Sequence, residues 1–171
     1  ILKSFWEKDL LFKGYKIVPY CPRCGTPLSD HEVALGYDDA EDPSVFVRFP
    51  LVDKPDTSLL VWTTTPWTLP SNLALAVGPE IDYAIVQKDG RFFLLGAATR
   101  KEYEKELAGH TVVRELKGKE LVGRTYTPLF PYFANHPKSF RVLGGEFVDT
   151  TTGTGIVHMA PGFGEDDQKV C

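Results

Sequence analysis

Short apolar runs separated by turn residues recur along most of the chain, and they constrain its fold more than any other feature. Runs of about four to eight residues have strand-like composition, and glycine, proline, aspartate or asparagine stands between most of them. The predicted strands lie at residues 15–20, 32–37, 45–49, 58–65, 73–77, 83–87, 91–95, 111–116, 140–143 and 156–159. Asp89-Gly90 separates two alternating runs and predicts a two-residue hairpin.

Helical patterns are fewer than strand patterns. Residues 2–11 carry apolar side chains at near-helical spacing, with Gly14 as the stop, and residues 97–107 form a second helix candidate of mixed charge. Many short strands, few helices and frequent turn residues predict a mainly β fold. We expect a closed or nearly closed β-barrel with a few helices packed around it.

Length and composition are those of an ordinary globular domain. The 171 residues are 43% hydrophobic and 25% charged, and they suffice for one domain. No apolar run approaches the roughly 20 residues of a membrane span, and no signal peptide is recognisable, which predicts a cytoplasmic protein without a membrane partner. The chain begins at Ile1 and its only methionine is Met159, so we expect it to be part of a longer polypeptide.

Charge and cysteine content exclude two further classes. The net charge is −4, so the chain lacks the basic surface expected of an independent nucleic-acid binder. If it acts on a nucleic acid, most phosphate contacts should come from elsewhere. Three cysteines, two of them in a CxxC pair, do not form a secreted disulfide scaffold.

A row of hydroxyl side chains ends the predicted strand at residues 58–65. Thr63, Thr64 and Thr65 follow an apolar stretch, and Pro66 cannot donate a backbone hydrogen bond to a neighbouring strand. Strand pairing should therefore stop here and leave unpaired N–H groups beside three hydroxyls. This arrangement suits a polar ligand, although a threonine-rich strand edge is more often simply solvated.

The segment GTGIVHMAPGFGEDD at residues 153–167 is the second informative feature. Gly153 and Gly155 permit a tight turn or a close approach of the backbone to a ligand. His158 emerges at the end of a predicted strand, where a packed histidine is commoner than a ligand contact. The three acids at residues 165–167 are typical of the first turn of a helix, where the helix dipole favours negative charge.

Both segments resemble the editing domain that is inserted in isoleucyl-tRNA synthetases, which are class I aminoacyl-tRNA synthetases. The string WTTTPWTLPSN at residues 62–72 is similar to the threonine-rich segment of that domain. Residues 153–167 are similar to the segment in which a histidine, and an aspartate nine positions later, line the editing pocket. The leucyl and valyl relatives resemble this chain less, because they typically carry arginine in place of the threonine run and lack the histidine.

The resemblance implies proofreading: hydrolysis of valine from mischarged tRNA(Ile), and of valyl-adenylate, by water attack on the ester. The implied catalytic residues are Thr63, Thr64, Thr65 and Asp167, and the implied substrate-binding residues are Trp62, Asn72, His158 and Asp167. The threonines would hold the ribose, the ester carbonyl and the water. Asp167, rather than Asp166, would accept the substrate's ammonium group, and His158 would exclude isoleucine. The chain offers no convincing pair of nucleophile and base.

The sequence Cys21-Pro22-Arg23-Cys24-Gly25 is typical of half a zinc knuckle. Two thiolates at this spacing can reach one tetrahedral metal, but a structural zinc site needs four ligands. Similar synthetases complete such a module with cysteines beyond the editing insert. The resemblance therefore implies that Cys21 and Cys24 bind zinc only in the intact parent enzyme, and that the editing site uses no cofactor.

The resemblance also divides the chain into a leading segment at residues 1–37, with a helix and the zinc half-site, and an editing domain at residues 38–171. The expected partners are the 3′ end of tRNA(Ile) carrying valine, valyl-adenylate and the rest of the synthetase, with the chain itself monomeric. Three alternatives stay open: a non-catalytic zinc-knuckle insert that binds tRNA, the editing domain of a valyl or leucyl relative, and an insert active only within the parent enzyme. The sequence leaves open which of the two esters is the main substrate.

Overall fold

The computed structural model describes residues 1–39 and 41–171, and the chain divides into the units Ile1–Asp39 and Ala40–Cys171. The elements of the first unit are helix α1 (Leu2–Glu7), strands β1 (Tyr20–Cys21) and β2 (Thr26–Pro27), and helix α2 (Asp30–Leu35). β1 and β2 form a small antiparallel hairpin in which Cys21 pairs with Thr26. The predicted boundary after residue 37 stays a prediction.

The strand predicted at residues 32–37 is wrong, because helix α2 occupies most of that segment. Ser29 caps this helix: its hydroxyl accepts the N–H of Glu32, and the Glu32 carboxylate accepts the N–H of Ser29. This reciprocal capping box fixes a helix start just before the apolar residues. The strand predicted at 15–20 shrinks to Tyr20–Cys21, and the helix predicted at 2–11 ends at Glu7.

The second unit is mainly β. Its strands are β3 (Val45–Pro50), β4 (Thr57–Thr63), β5 (Ala74–Val77), β6 (Asp82–Lys88), β7 (Arg91–Gly96), β8 (Thr111–Lys117), β9 (Arg141–Gly144) and β10 (Ile156–Met159). Its helical elements are α3 (Glu165–Val170) and 3-10 helices at Pro66–Ser71, Thr99–Lys101 and Gly118–Glu120. The prediction of a mainly β fold with few helices is confirmed.

The strands of this unit form two sheets. The larger has the order β3-β4-β7-β6-β8 and the smaller β10-β5-β9. Strands β4 and β7, and strands β5 and β9, run parallel, whereas the other neighbours are antiparallel. The predicted hairpin is present: Lys88 pairs with Arg91, and Asp89 and Gly90 have φ of 50° and 74°, the left-handed conformations that such a turn requires.

The predicted closed barrel is wrong, because neither sheet closes and no ladder joins the two sheets among the described residues. Strands β3 and β8 are the outer strands of the larger sheet, and β9 and β10 are those of the smaller one. On one side only isolated bridges lead from sheet to sheet, pairing Leu51 with Tyr126 and Thr125 with Arg141. These single bridges do not continue into the ladder of backbone hydrogen bonds that a closed barrel needs.

On the other side, side-chain packing takes the place of backbone pairing. Strand β4 pairs with β7 only over residues 57–59, and its later residues pack beside β10 without a ladder. The Trp62 ring lies against Gly153, so closely that a Cβ atom at residue 153 would stand 3.0 Å from it. The end of β4 therefore pairs with β3 on one side and meets a side-chain contact instead of a paired strand on the other.

Apolar side chains from both sheets share one buried core. Its members include Val47, Phe49, Leu59, Val61, Leu75, Val77, Leu94, Val142 and Ile156. Full burial of each such side chain contributes about 1.5–3 kcal/mol. A smaller cluster with Ala74, Ala76, Val148 and Met159 includes Val170 of α3. These two clusters hold the strands that end at Thr63 and at Met159.

Residues 97–107 do not form the predicted α-helix. The segment begins with the 3-10 helix Thr99–Lys101 and continues as turns. Thr99 Oγ1 donates to the carbonyl of Gly96, and the N–H of Tyr103 donates to the carbonyl three residues back. Tyr103 and Leu107 nevertheless pack on the second face of the larger sheet, so tertiary packing stabilises this tighter winding.

In the part of the chain that the structure describes, no helix has the length and apolar character needed to cross a membrane.

Candidate functional site

The threonine run lies at the end of β4, where strand pairing stops as predicted. Thr63 is buried, Thr64 is half-buried and Thr65 is exposed. Thr63 Oγ1 accepts the backbone N–H of Thr65 at 3.0 Å, and the two hydroxyls are 3.3 Å apart. Pro66 then begins a 3-10 helix, so the chain turns away from the sheet directly after the three hydroxyls.

A surface cleft of about 270 Å³ opens beside this strand end. One wall comes from Trp62, Thr63 and Thr64, and the other from the glycine-rich turn at residues 152–157 with Phe147 and Asp149. Thr64 makes no side-chain hydrogen bond within the described residues, and the buried Oγ1 of Thr154 has no partner there either. The half-buried Thr64 therefore presents to the cleft a hydroxyl that the described residues do not use, whereas the Thr154 hydroxyl is out of contact with solvent.

His158 lies on β10 at the centre of a hydrogen-bond network. Its Nε2 is 3.0 Å from Thr68 Oγ1, and its Nδ1 is 2.8 Å from Asn72 Nδ2. Thr68 Oγ1 also donates to the carbonyl of Thr65 at 2.9 Å, which connects the histidine to the threonine run. Tyr126 completes the network by donating its hydroxyl to Asn72 Oδ1 at 2.6 Å.

The two ends of this network determine the tautomer of His158, because both are backbone carbonyls that can only accept. The carbonyl of Ala74 accepts from Asn72 Nδ2 at 2.9 Å, which orients the amide and leaves its second N–H to donate to His158 Nδ1. The Thr68 hydroxyl donates its only proton to the carbonyl of Thr65, so its oxygen accepts a hydrogen bond from His158 Nε2. His158 is therefore neutral with its proton on Nε2.

Burial also favours the neutral form of His158. It lowers the pKa of the imidazole from 6.5 to about 4, although the contact with Thr68 opposes the shift. A proton on Nδ1 would also face the N–H of Asn72, a contact between two donors. The ring is thus a poor general base near neutral pH, because its free lone pair already accepts a hydrogen bond.

We expect the imidazole of His158 to titrate near pH 4 in an NMR titration of the folded chain. Its folded pKa lies below the unfolded value of 6.5, so its contribution to stability is present above pH 6.5 and is lost as the pH falls towards 4. The free energy of unfolding should fall by at most about 1.4 kcal/mol per pH unit in that window. His158→Gln should remove this part of the slope. A midpoint near 6.5 would contradict the burial.

Asp167 lies in the first turn of α3 and is half-buried. Its carboxylate packs closely against Gly164, where a larger residue would collide with it, and the backbone N–H of Ala160 donates to it. Burial raises the pKa of Asp167, and the charge of Asp166 adds to this effect, while the N–H of Ala160 opposes it. No lysine, arginine or histidine forms an ion pair with Asp167 among the described residues. Asp167 is thus a partly desolvated acid without a cationic partner among the described residues.

The structure places most of the predicted site residues in two groups, one beside the cleft at the end of β4 and one around His158 on β10. Neither His158 nor Asp167 is among the residues that line the cleft. Trp62, Thr63 and Thr64 line the cleft, while Asn72 and His158 bond to each other. No hydrogen bond links Asp167 to these residues in the described part of the chain. The side chain of Asn72 is buried and its amide is fully used, so a direct contact between this amide and a substrate would break an existing bond. Its predicted substrate contact stays a prediction.

Sequence reasoning missed Thr68 and Tyr126. Thr68 follows the threonine run within the same segment, so its proximity to Thr65 was a usable signal. Tyr126 is 54 residues from Asn72 along the chain, and no local pattern indicates their contact.

Cys21 and Cys24 lie at the β1–β2 hairpin of the first unit. The N–H of Cys24 points to Cys21 Sγ at 3.3 Å, and this hydrogen bond lowers the pKa of the Cys21 thiol. Gly25 takes φ of 72°, as the knuckle turn requires. No group of three or more histidine, cysteine or acidic side chains suited to a metal exists among the described residues. The pair fits half of a zinc site and does not complete one.

Comparison with known proteins shows similarity over nearly the whole chain. No protein-family model matches it. The isoleucine–tRNA ligase of Treponema denticola is 46% identical over 205 residues, covering 99% of this chain and 19% of the relative. Those of Clostridium novyi and Mycobacterium tuberculosis are 50% and 49% identical, covering 97% and 98% of this chain but 16% and 17% of the relatives. The chain thus spans less than a fifth of the length of these curated relatives.

Solved structures show the same fold. The crystal structure of GlLeuRS-CP1 matches with a TM-score of 0.62 at 19% identity, covering 74% of this chain and 58% of that one. The editing domain of the P. knowlesi cytosolic leucyl-tRNA synthetase matches with a TM-score of 0.61 at 13% identity, covering 73% and 59%. At identities this low the likeness establishes the fold alone.

Proposed function

Because this chain belongs to the isoleucine–tRNA ligase family, of which it is the segment with the editing-domain fold, we propose that it hydrolyses valine esters wrongly attached to tRNA(Ile). Valyl-adenylate is the second substrate in this proposal. The partners are the 3′ end of the charged tRNA and the rest of the synthetase. The chain has a net charge of −4, which agrees with other parts of the synthetase binding the tRNA phosphates.

The observation that carries this proposal is the half-buried carboxylate of Asp167 without a cation. A desolvated carboxylate is stabilised by a positive partner, and the α-ammonium group of an aminoacyl ester supplies one. Uncharged or acylated amines would lose this contact. Asp167 therefore orients the ester by its ammonium group.

Water is the nucleophile in the proposed reaction. Neutral His158 cannot take a proton at Nδ1 while Asn72 donates there, and the threonines have no base beside them to activate a hydroxyl. An aminoacyl ester is already activated, so positioning the carbonyl and a water molecule supplies much of the rate. The hydroxyl of Thr64, which the described residues do not use, is the donor available for this purpose.

The neutral His158 ring serves as a steric wall in this proposal. One methylene in an apolar pocket is worth only about 1–3 kcal/mol, and isoleucine against valine in this ligase family is the standard illustration of that limit. A second site that rejects the larger side chain by collision adds the missing selectivity. A ring fixed at both nitrogens resists displacement by the extra methylene.

The proposed function predicts selective loss of valine. Valyl-tRNA(Ile) and isoleucyl-tRNA(Ile) are incubated with the full-length ligase and, at high concentration, with this chain, and ester loss is followed. We expect the full-length enzyme to hydrolyse the valyl ester and to spare the isoleucyl ester. If it hydrolyses neither, the proposed function is wrong. Activity of the full-length enzyme alone would mean that the chain needs its parent to bind the tRNA.

Substitutions of two neighbouring threonines should affect stability and activity separately. Thr63→Val leaves the N–H of Thr65 without its acceptor and should reduce the free energy of unfolding by about 1–3 kcal/mol. Thr64→Val removes a hydroxyl that the described residues do not use, so stability should change by less than about 0.5 kcal/mol. Hydrolysis of valyl-tRNA(Ile) by the Thr64 variant should nevertheless fall about tenfold, the effect of one lost hydrogen bond. Unchanged hydrolysis would exclude Thr64 from the site.

We propose that Cys21 and Cys24 supply half of a zinc site that is completed outside this chain. The full-length ligase should then hold zinc against a chelator, and Cys21→Ser should release it, as measured by metal analysis after dialysis. This chain alone should lose zinc to the same chelator. Retention of one zinc ion per isolated chain would contradict the half-site.

A further inference from the structure

We propose that Tyr126 is a positioning residue for His158: its hydroxyl fixes the amide of Asn72, which in turn holds the imidazole in one orientation and one tautomer. The geometry is a chain of short hydrogen bonds. Tyr126 Oη donates to Asn72 Oδ1 at 2.6 Å, and Asn72 Nδ2 donates to His158 Nδ1 at 2.8 Å. Tyr126 itself is only 1% exposed and does not line the cleft beside Thr64.

The surroundings of Tyr126 would suit a phenylalanine equally well. Its ring packs edge-to-face on Phe49, with centroids 5.2 Å apart, and on Phe140, with centroids 6.0 Å apart. A buried hydroxyl is unfavourable unless it forms a hydrogen bond, and Asn72 is the partner that the described residues offer. Packing therefore explains the ring, whereas the hydroxyl is explained by its contact with Asn72.

Tyr126 is also held firmly enough to position another residue. Its N–H donates to the carbonyl of Phe140 at 3.1 Å, and its backbone bridges to Leu51, so the residue is attached to both sides of the core. Asn72, by contrast, is the residue at the end of a short 3-10 helix. The rigid part of the fold thus fixes the amide, and the amide fixes the histidine.

Loss of the Tyr126 hydroxyl should weaken the hold on the amide, which the carbonyl of Ala74 then orients alone. Asn72 Oδ1 would be buried without a donor, and this cost offsets part of the bond to Ala74, so that an amide rotated to present Oδ1 to His158 Nδ1 becomes populated. An oxygen at that position favours a proton on Nδ1. His158 would therefore exchange between tautomers, and its ring would become a softer wall.

The test is ¹⁵N-histidine NMR of the 171-residue chain at neutral pH. Wild type should show one neutral His158 species with Nε2 protonated and Nδ1 accepting. Tyr126→Phe should show a mixture of tautomers. Tyr83→Phe is the matched control, since its buried hydroxyl bonds to the carbonyl of Gly155 and not to this network, and it should leave His158 unchanged. An unchanged tautomer in Tyr126→Phe overturns the proposal, and so does an equal change in Tyr83→Phe.

A second variant keeps the test decisive if Tyr126→Phe fails to fold. Asn72→Asp replaces the donor at His158 Nδ1 by an acceptor and should move the proton of His158 to Nδ1. An Nε2–H tautomer that persists in this variant overturns the proposal.

A readout on specificity rests on the proposed function. In the full-length ligase, Tyr126→Phe should reduce the preference for the valyl over the isoleucyl ester roughly three- to tenfold, the effect of one neutral hydrogen bond. If this variant shows mixed tautomers but an unchanged preference for the valyl ester, Tyr126 sets the tautomer of His158 only. Its proposed effect on the steric wall would then be overturned. If wild-type ligase hydrolyses neither ester, the proposed function fails while the NMR result still decides the tautomer.

Discussion

Asp167→Ala should reduce hydrolysis of valyl-tRNA(Ile) by the full-length ligase roughly 30- to 1,000-fold. The substrate's ammonium group would then enter a partly desolvated site without its counter-charge, and removal of one partner of such a pair costs about 2–4 kcal/mol. The fold should survive, because Asp167 forms no ion pair among the described residues and α3 also packs through Val170. Single-turnover deacylation and a thermal melt measure the two effects separately.

Asp166→Ala is the matched control for Asp167. Asp166 is exposed and forms a surface ion pair with Lys169 at 3.6 Å, which contributes little to stability. Its removal should leave hydrolysis within about twofold of wild type, since it lies outside the proposed contact and acts on Asp167 only through charge. If both variants lose activity equally, the assignment of the ammonium contact to Asp167 fails.

His158→Ala should allow the isoleucyl ester to be hydrolysed. Removal of the ring opens space for the additional methylene, and we expect the valine-to-isoleucine preference to fall roughly 10- to 100-fold, mainly because the isoleucyl rate rises. The full-length variant is assayed with both charged tRNAs. Protection of isoleucyl-tRNA(Ile) in this variant would show that another residue forms the wall.

Stability is the control for this variant. His158→Ala removes the acceptor of one N–H of Asn72 and the donor to Thr68 Oγ1, so a loss of about 1–3 kcal/mol is expected. Asn72→Ala breaks the same network but keeps the ring. It should lower stability comparably while admitting the isoleucyl ester less than His158→Ala does. Equal leakage in both variants would attribute the effect to general loosening.

Local patterns predicted the strands of the second unit well, but not those of the first. β10 has the bounds expected from residues 156–159, and the hairpin at Asp89-Gly90 forms because both residues accept the left-handed conformation. The helix at Asp30–Leu35 was also readable, since Ser29 and Glu32 have capping-box spacing. The strand predicted in this segment followed from its apolar residues and not from the capping residues that precede them.

Closure of the sheets was not readable, because it depends on contacts between residues far apart in the chain. β4 packs against β10 without pairing, and Trp62 and Gly153, which touch beside this gap, are neighbours only in the folded protein. The same limit applies to the site. The resemblance indicated His158 and Asn72. Asn72 is oriented by hydrogen bonds to Ala74 and Tyr126, and no pattern in the sequence predicts these bonds.

The hydrogen-bond network around His158 also has a consequence for inhibitor design. Both ring nitrogens are already bound, one by Asn72 and one by Thr68, so the proposed substrate would meet only carbon atoms of the imidazole. Anionic or hydrogen-bonding groups aimed at this histidine should therefore gain little affinity. If the proposed function holds, a compound that selects the editing site should instead combine a cationic amine for Asp167 with a compact apolar group shaped to the face of the ring.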